Sequence, residues 1–161
     1  MLHSLIPLQE LYHLNTRLFL NCISECTEET VRLQPNASTN NMLFLICHLL
    51  DARYYIARLM GVKAKNPYQA LFDGINSVQD LKETPSLAEL RLTWMQISEE
   101  LDPCWKKVDK NLLQKKPAID LPMEKKDRLS AITFLLHHEA YHIGQLALLR
   151  KYHGLAAMKY S

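Results

Sequence analysis

Apolar residues recur three and four positions apart along four long stretches of the chain, the spacing that gathers them on one side of a helix. The first helix is predicted over residues 4–26, where Leu8, Leu11, Tyr12, Leu18, Phe19, Cys22 and Cys26 share a face. Pro7 falls in its first turn, where a missing N–H breaks no helical bond. The run TEETVRL that follows predicts one extra turn, and Gln34-Pro35-Asn36 ends the pattern. The second helix is predicted over residues 39–60, capped by Ser38 or Thr39 and stopped by Gly61. Residues 62–84 read as a long connection with a short helix at 67–72. The third helix opens on Ser86-Leu-Ala-Glu89, a capping box in which Ser and Glu satisfy each other's free backbone N–H groups. Its seam is Leu87, Leu90, Trp94, Ile97, Leu101 and Val108, interrupted by Asp102-Pro103, where a kink or break is expected. Residues 110–126 are polar, carry Pro117 and Pro122, and read as a loop. The fourth helix is predicted from its cap Asp127 to His153, with Gly154 as the stop. Four helices with no strand pattern make an all-α four-helix bundle, a single domain over residues 1–161.

Composition narrows the function classes. Hydrophobic residues are 48% and charged residues 22%, enough apolar material for a core, so disorder is excluded as the main state. A net charge of +2 offers no basic surface for a dedicated nucleic-acid partner. The start, MLHSLIPLQELYHLN, lacks a basic opening and a continuous apolar run, so no secretion signal is expected, and no apolar run approaches membrane-spanning length. The expected location is the cytoplasm, with Cys22, Cys26, Cys47 and Cys104 as reduced core residues.

The candidate chemistry lies in polar residues on apolar faces. A helical wheel centred on His138 gathers Ala131, Phe134, Leu135, Tyr141, His142, Gln145, Leu149 and Tyr152. His138 and His142 are four apart, so their rings stack one turn from each other and can share an ion. The same wheel centred on His48 gathers Asn41, Phe44, Leu45, Asp51, Ala52, Tyr55 and Leu59; on the first helix the polar intruder is Asn15. Unpaired buried polar groups cost roughly 1–3 kcal/mol each, so three such faces turned to one core imply something polar held there. A divalent metal on His48, His138 and His142 satisfies that requirement, with a position open for water or substrate. Zinc fits these ligands, and nickel or iron also accepts imidazoles. Gln145, Asp51 and Asn15 would orient the ligands or touch substrate. A hydrogen-bonded histidine network without a metal is the bland alternative.

Residues 138–142, His-Glu-Ala-Tyr-His, also match H-E-x-x-H of metallopeptidases, with Glu139 as base. The match lacks its context: Gln145 and Leu148 stand where the metzincin extension needs Gly and His, and no acidic residue follows Glu139 to serve as third ligand. On the wheel Glu139 lies off the metal-facing side, which points to an ion pair or hydrogen bond, and a peptidase is the minority reading.

The stretches 41–55, containing CHLLDARYY, and 136–149, LHHEAYHIGQLALL, resemble the two signature helices of the DinB/YfiT-like superfamily. The resemblance maps His48, His138 and His142 onto that family's metal triad. It implies a four-helix bundle, usually dimeric, that binds zinc or nickel. It also implies an enzyme acting on a small molecule, either a hydrolase or a transferase that uses a low-molecular-weight thiol such as mycothiol or bacillithiol. A second apolar stripe on the fourth helix (Leu129, Ile132, Leu136, Ala140, Ile143, Ala147) and one on the second (Leu43, Ile46, Leu50, Ala57) lead to the expectation of a homodimer built on them. A non-enzymatic metal- or ligand-binding bundle is the alternative function.

Overall fold

In a computed structural model of the chain, which describes residues 5–72, 74 and 83–160, the segments fold as helices, and no strand occurs among the described residues. Four helices are long: α1 (Ile6–Ile23), α3 (Met42–Leu59), α5 (Leu87–Leu101) and α8 (Arg128–Tyr152). Four are short: α2 (Glu28–Arg32), α4 (Gln69–Phe72), α6 (Cys104–Lys107) and α7 (Lys110–Leu113). The start expected at residue 4, His3, and positions 73 and 75–82 of the long connection lie outside the described residues.

Local chemistry sets the ends. Helix α1 stops at Ile23 rather than at residue 26, because Ser24 is extended and Glu25 takes a positive φ of 63°. Arg150 fixes that turn by donating to the carbonyls of Cys22 and Ser24 and pairing with Glu25. Helix α3 starts later than expected. Ser38 and Thr39 both donate their hydroxyls to Asn36 Oδ1 (3.0 Å each), so the cap falls to Asn41, whose Oδ1 accepts from the Phe44 N–H at 2.9 Å. Gly61, at φ 88°, ends it as expected. Both halves of the Ser86–Glu89 capping box form. The chain breaks at Asp102-Pro103 and resumes as α6. The loop expected over 110–126 contains α7, which Asp109 caps and which seats Leu113 in the core. Asp127 caps α8 through the Ser130 N–H at 2.9 Å, and Gly154 (φ 82°) follows its end.

Helix α8 packs on both α1 and α3, and α3 packs on α5. This central placement buries residues of both stripes. Ile132, Leu136 and Ile143 of α8 and Leu43, Ile46, Leu50 and Ala57 of α3 are buried inside the chain and form the core, while Ala140 of the same stripe is exposed. The histidine stripe runs along the rim, with Ala131, Leu135 and Leu149 buried and Tyr141 and Tyr152 well exposed. Between the core residues sits the ion pair expected of Glu139, with a partner the sequence did not name. Arg53 of α3 and Glu139 of α8 are both 0% exposed and bind each other through two bonds, Nε to Oε1 at 2.7 Å and Nη2 to Oε2 at 2.8 Å. The guanidinium lies between the rings of Tyr12 and Trp94, 4.5 and 4.0 Å from their centres, and donates to Thr16 and Ser98. This pair joins the two helices that carry the three histidines.

Candidate metal centre

The lengths of α3 and α8 and their mutual packing bring three imidazoles together from positions ninety residues apart. His138 Nε2 lies 3.1 Å from His48 Nε2 and 3.0 Å from His142 Nε2. All three donor nitrogens lie within 4.8 Å of one another, and no other group of three His, Cys, Asp or Glu side chains with this spacing occurs among the described residues. The rings meet edge to face at centroid separations of 4.4–4.9 Å. Phe44 stacks along His48 and Phe134 along His138, which limits ring rotation.

The protons of this cluster are constrained. His142 Nδ1 donates to Gln145 Oε1 at 2.6 Å, which leaves its Nε2 as a bare lone pair aimed at the cluster. Gln145 is held in turn by the Tyr141 hydroxyl at 3.2 Å. His138 Nε2 has two imidazole nitrogens at hydrogen-bond distance, yet one proton lies well in only one of the two contacts. The other contact then brings two ring nitrogens together with no proton between them. A cation at the centre removes that conflict. With metal–nitrogen bonds of about 2.0–2.1 Å at tetrahedral angles, neighbouring donors stand about 3.3 Å apart, a few tenths of an ångström from the two separations at His138, while His48 and His142 lie within 4.8 Å of each other. Burial, together with the neighbouring imidazoles, pushes His138 down to about 4 and His48 below its ordinary value; burial pushes His142 down against the bond to Gln145. The imidazoles are therefore uncharged at neutral pH, the state a metal requires. The donor set fits a divalent ion.

The remaining candidates are placed as follows. Gln145 touches a ligand directly. Asp51, one turn beyond His48, accepts from the buried Asn66 at 3.3 Å. Asn15 lies away from the triad: its Nδ2 donates to the Leu136 carbonyl at 2.9 Å and to Glu139 Oε2 at 3.3 Å, so it supports the buried charge pair rather than the imidazoles. Glu139, the candidate base, is sealed from solvent and committed to Arg53, which withdraws the residue that a peptidase mechanism would use. His13 pairs with Asp102 on the surface at 2.6 Å. Cys22 and Cys47 are buried core thiols pushed up to about 12 by burial, whereas Cys26 and Cys104 are only half-buried. Arg53 escaped the sequence reading, and its one signal is a cation flanked by Ala52, Tyr54 and Tyr55 inside an otherwise apolar turn.

The triad does not close over itself. His48 and His142 form part of the wall of a cleft of about 550 Å³, with Phe44, Leu45, Leu148 and Leu149 as its apolar sides. Three protein ligands, two of them on the wall of such a cleft, leave room for a small molecule beside the ion.

Comparison with known proteins agrees with this architecture. The model of the DinB superfamily matches residues 11–146. The crystal structure of a DinB-like protein, YjoA of Bacillus subtilis, superposes with a TM-score of 0.64 at 12% identity, covering 96% of this chain and 97% of that one. No curated protein matches.

Proposed function

The chain belongs to the DinB superfamily, and from that premise we propose that it is a metal-dependent enzyme, holding one zinc or nickel ion on His48, His138 and His142 and acting on a small molecule in the adjoining cleft. The observation that carries this reading is the convergence of three Nε2 atoms that no arrangement of protons fully satisfies. When bound, the ion supplies Lewis-acid stabilisation that turns a thiol or water into a nucleophile at neutral pH. The chain's own residues do the rest. Gln145 accepts the Nδ1 proton of His142 and so aims its Nε2 lone pair inward. Phe44 and Phe134 hold the other two rings. Burial keeps the imidazoles neutral, and the cleft sets the substrate's approach past His48 and His142. The reaction is a small-molecule transfer, with a low-molecular-weight thiol as cosubstrate, or a hydrolysis.

The test compares chelated protein with zinc- and nickel-restored protein. One panel offers thiols with epoxide or activated-alkene acceptors, and a second offers small esters and amides. Turnover that follows the ion and disappears in His142→Ala is expected. One ion bound per chain with no turnover on either panel would favour the non-enzymatic binding reading. Cleavage of a generic peptide would revive the peptidase.

A further inference from the structure

The cleft differs in character from the triad that ends it. Among the described residues its wall carries no Lys, Arg, Asp or Glu: Phe44, Leu45, Leu148 and Leu149 form its apolar part, and Ser38, Thr39, Asn40, Tyr141 and Gln145 its uncharged polar part. Leu149 is buried at 7% exposure, while Leu148, one position before it, remains 68% exposed, an apolar side chain in water at the lip of a cavity. Apolar surface left in this way is released from water only when an apolar group covers it, at about 25 cal/mol per Å². A carboxylate or phosphate entering here would lose hydration and meet no cationic side chain on the described wall. A cavity of about 550 Å³ falls in the range of small-ligand sites.

We infer that the cleft takes the uncharged, apolar body of a small-molecule substrate, on the order of ten heavy atoms, with the reacting polar group presented to His48 and His142. The inference rests on the metal reading of the triad and adds the substrate class. It separates this chain's preferred substrate from polyanionic or carboxylate-rich molecules of similar size.

Three hydroxamates with one metal-binding head and different tails test it on the cobalt-loaded protein. They are acetohydroxamate, octanohydroxamate, and the eight-carbon analogue ending in a carboxylate. Calorimetry gives affinity, and the visible cobalt spectrum reports whether the head reaches the ion. The octano compound is expected to bind at least about tenfold tighter than acetohydroxamate, since each buried methylene is worth roughly a factor of four. The carboxylate-ended tail is expected to lose most of that gain. Leu148→Arg, at an exposed position where the substitution leaves the fold intact, is expected to narrow the gap between the two long tails. Equal affinities for the short and long neutral heads, with the spectrum shifted by both, would overturn the apolar-body inference and leave the metal reading standing. Tighter binding of the carboxylate-ended tail to the unsubstituted protein would overturn it too. No spectral change with any of the three would overturn the metal reading itself.

Discussion

Replacing Glu139 separates a structural carboxylate from a catalytic one. In Glu139→Leu the guanidinium of Arg53 stays in a site with no solvent exposure and loses two charge-assisted bonds of 2.7 and 2.8 Å. Removing one member of a buried pair costs about 3–5 kcal/mol, because the survivor is left charged and unpaired. Here the survivor keeps bonds to Thr16 and Ser98 and two aromatic faces, at 4.5 Å and 4.0 Å. Each face offsets about 0.5–2 kcal/mol. The expected loss is therefore near the lower end, about 3 kcal/mol, a large share of a typical domain's 5–15 kcal/mol. Adding Arg53→Met removes the stranded charge. Asn15 keeps the Leu136 carbonyl and Thr16 keeps that of Tyr12, so the double variant is expected to recover to within about 1 kcal/mol of the parent. Urea unfolding followed by the fluorescence of Trp94, which is buried against Arg53, measures both. A Glu139→Leu cost below about 1 kcal/mol would refute the structural assignment. So would a double variant no more stable than the single one, since a pair clamping α3 to α8 is relieved when both charges go.

Three other expectations come from the same structure. Gln145→Ala removes the acceptor that fixes the His142 tautomer and is expected to weaken zinc or cobalt affinity about 10–100-fold with the unfolding midpoint unchanged; an unchanged metal affinity would show that the tautomer needs no such support. The depressed imidazoles set a pH dependence in the metal-free protein: between the ordinary 6.5 and the value of about 4 for His138, the unfolded chain binds protons that the folded chain refuses. Stability from these groups is thus complete above the unfolded value and falls as pH drops through that window, so the urea midpoint measured with chelator should decline from neutral pH toward the acid side, and decline less in His138→Gln. Gly61→Ala forces a side chain onto φ 88° and brings its Cβ within 2.9 Å of Leu112 Cδ2, and should cost at least about 1 kcal/mol in the same unfolding assay.

Local chemistry was legible wherever a few neighbouring residues decide the outcome. The Ser86–Glu89 box, the Asp127 cap, the break at Pro103 and the stops at Gly61 and Gly154 all follow from residues within one turn. The meeting of His48 with His138 and His142 followed from three intruding polar residues and from the family resemblance. The orientation of α8 did not follow, because it carries two apolar arcs and the wheel treats both alike. What selects between them is Glu139, whose ion-pair partner lies 86 positions away. No local pattern reports that pairing. The start of α3 was missed for a similar reason: Asn36 claims both hydroxyls that were expected to cap the helix.

The whole functional reading depends on one ion being shared between α3 and α8. Elemental analysis of the purified protein beside His48→Ala tests this most directly. His48 stands at the solvent-facing edge, so the variant should fold, as circular dichroism can verify. About one divalent ion per chain in the parent and a small fraction of that in the variant is the expected result. Equal metal in the two proteins would mean that the ring on α3 is no ligand, and a parent that takes up no zinc or nickel when offered either would mean that the cluster is a hydrogen-bonded histidine network.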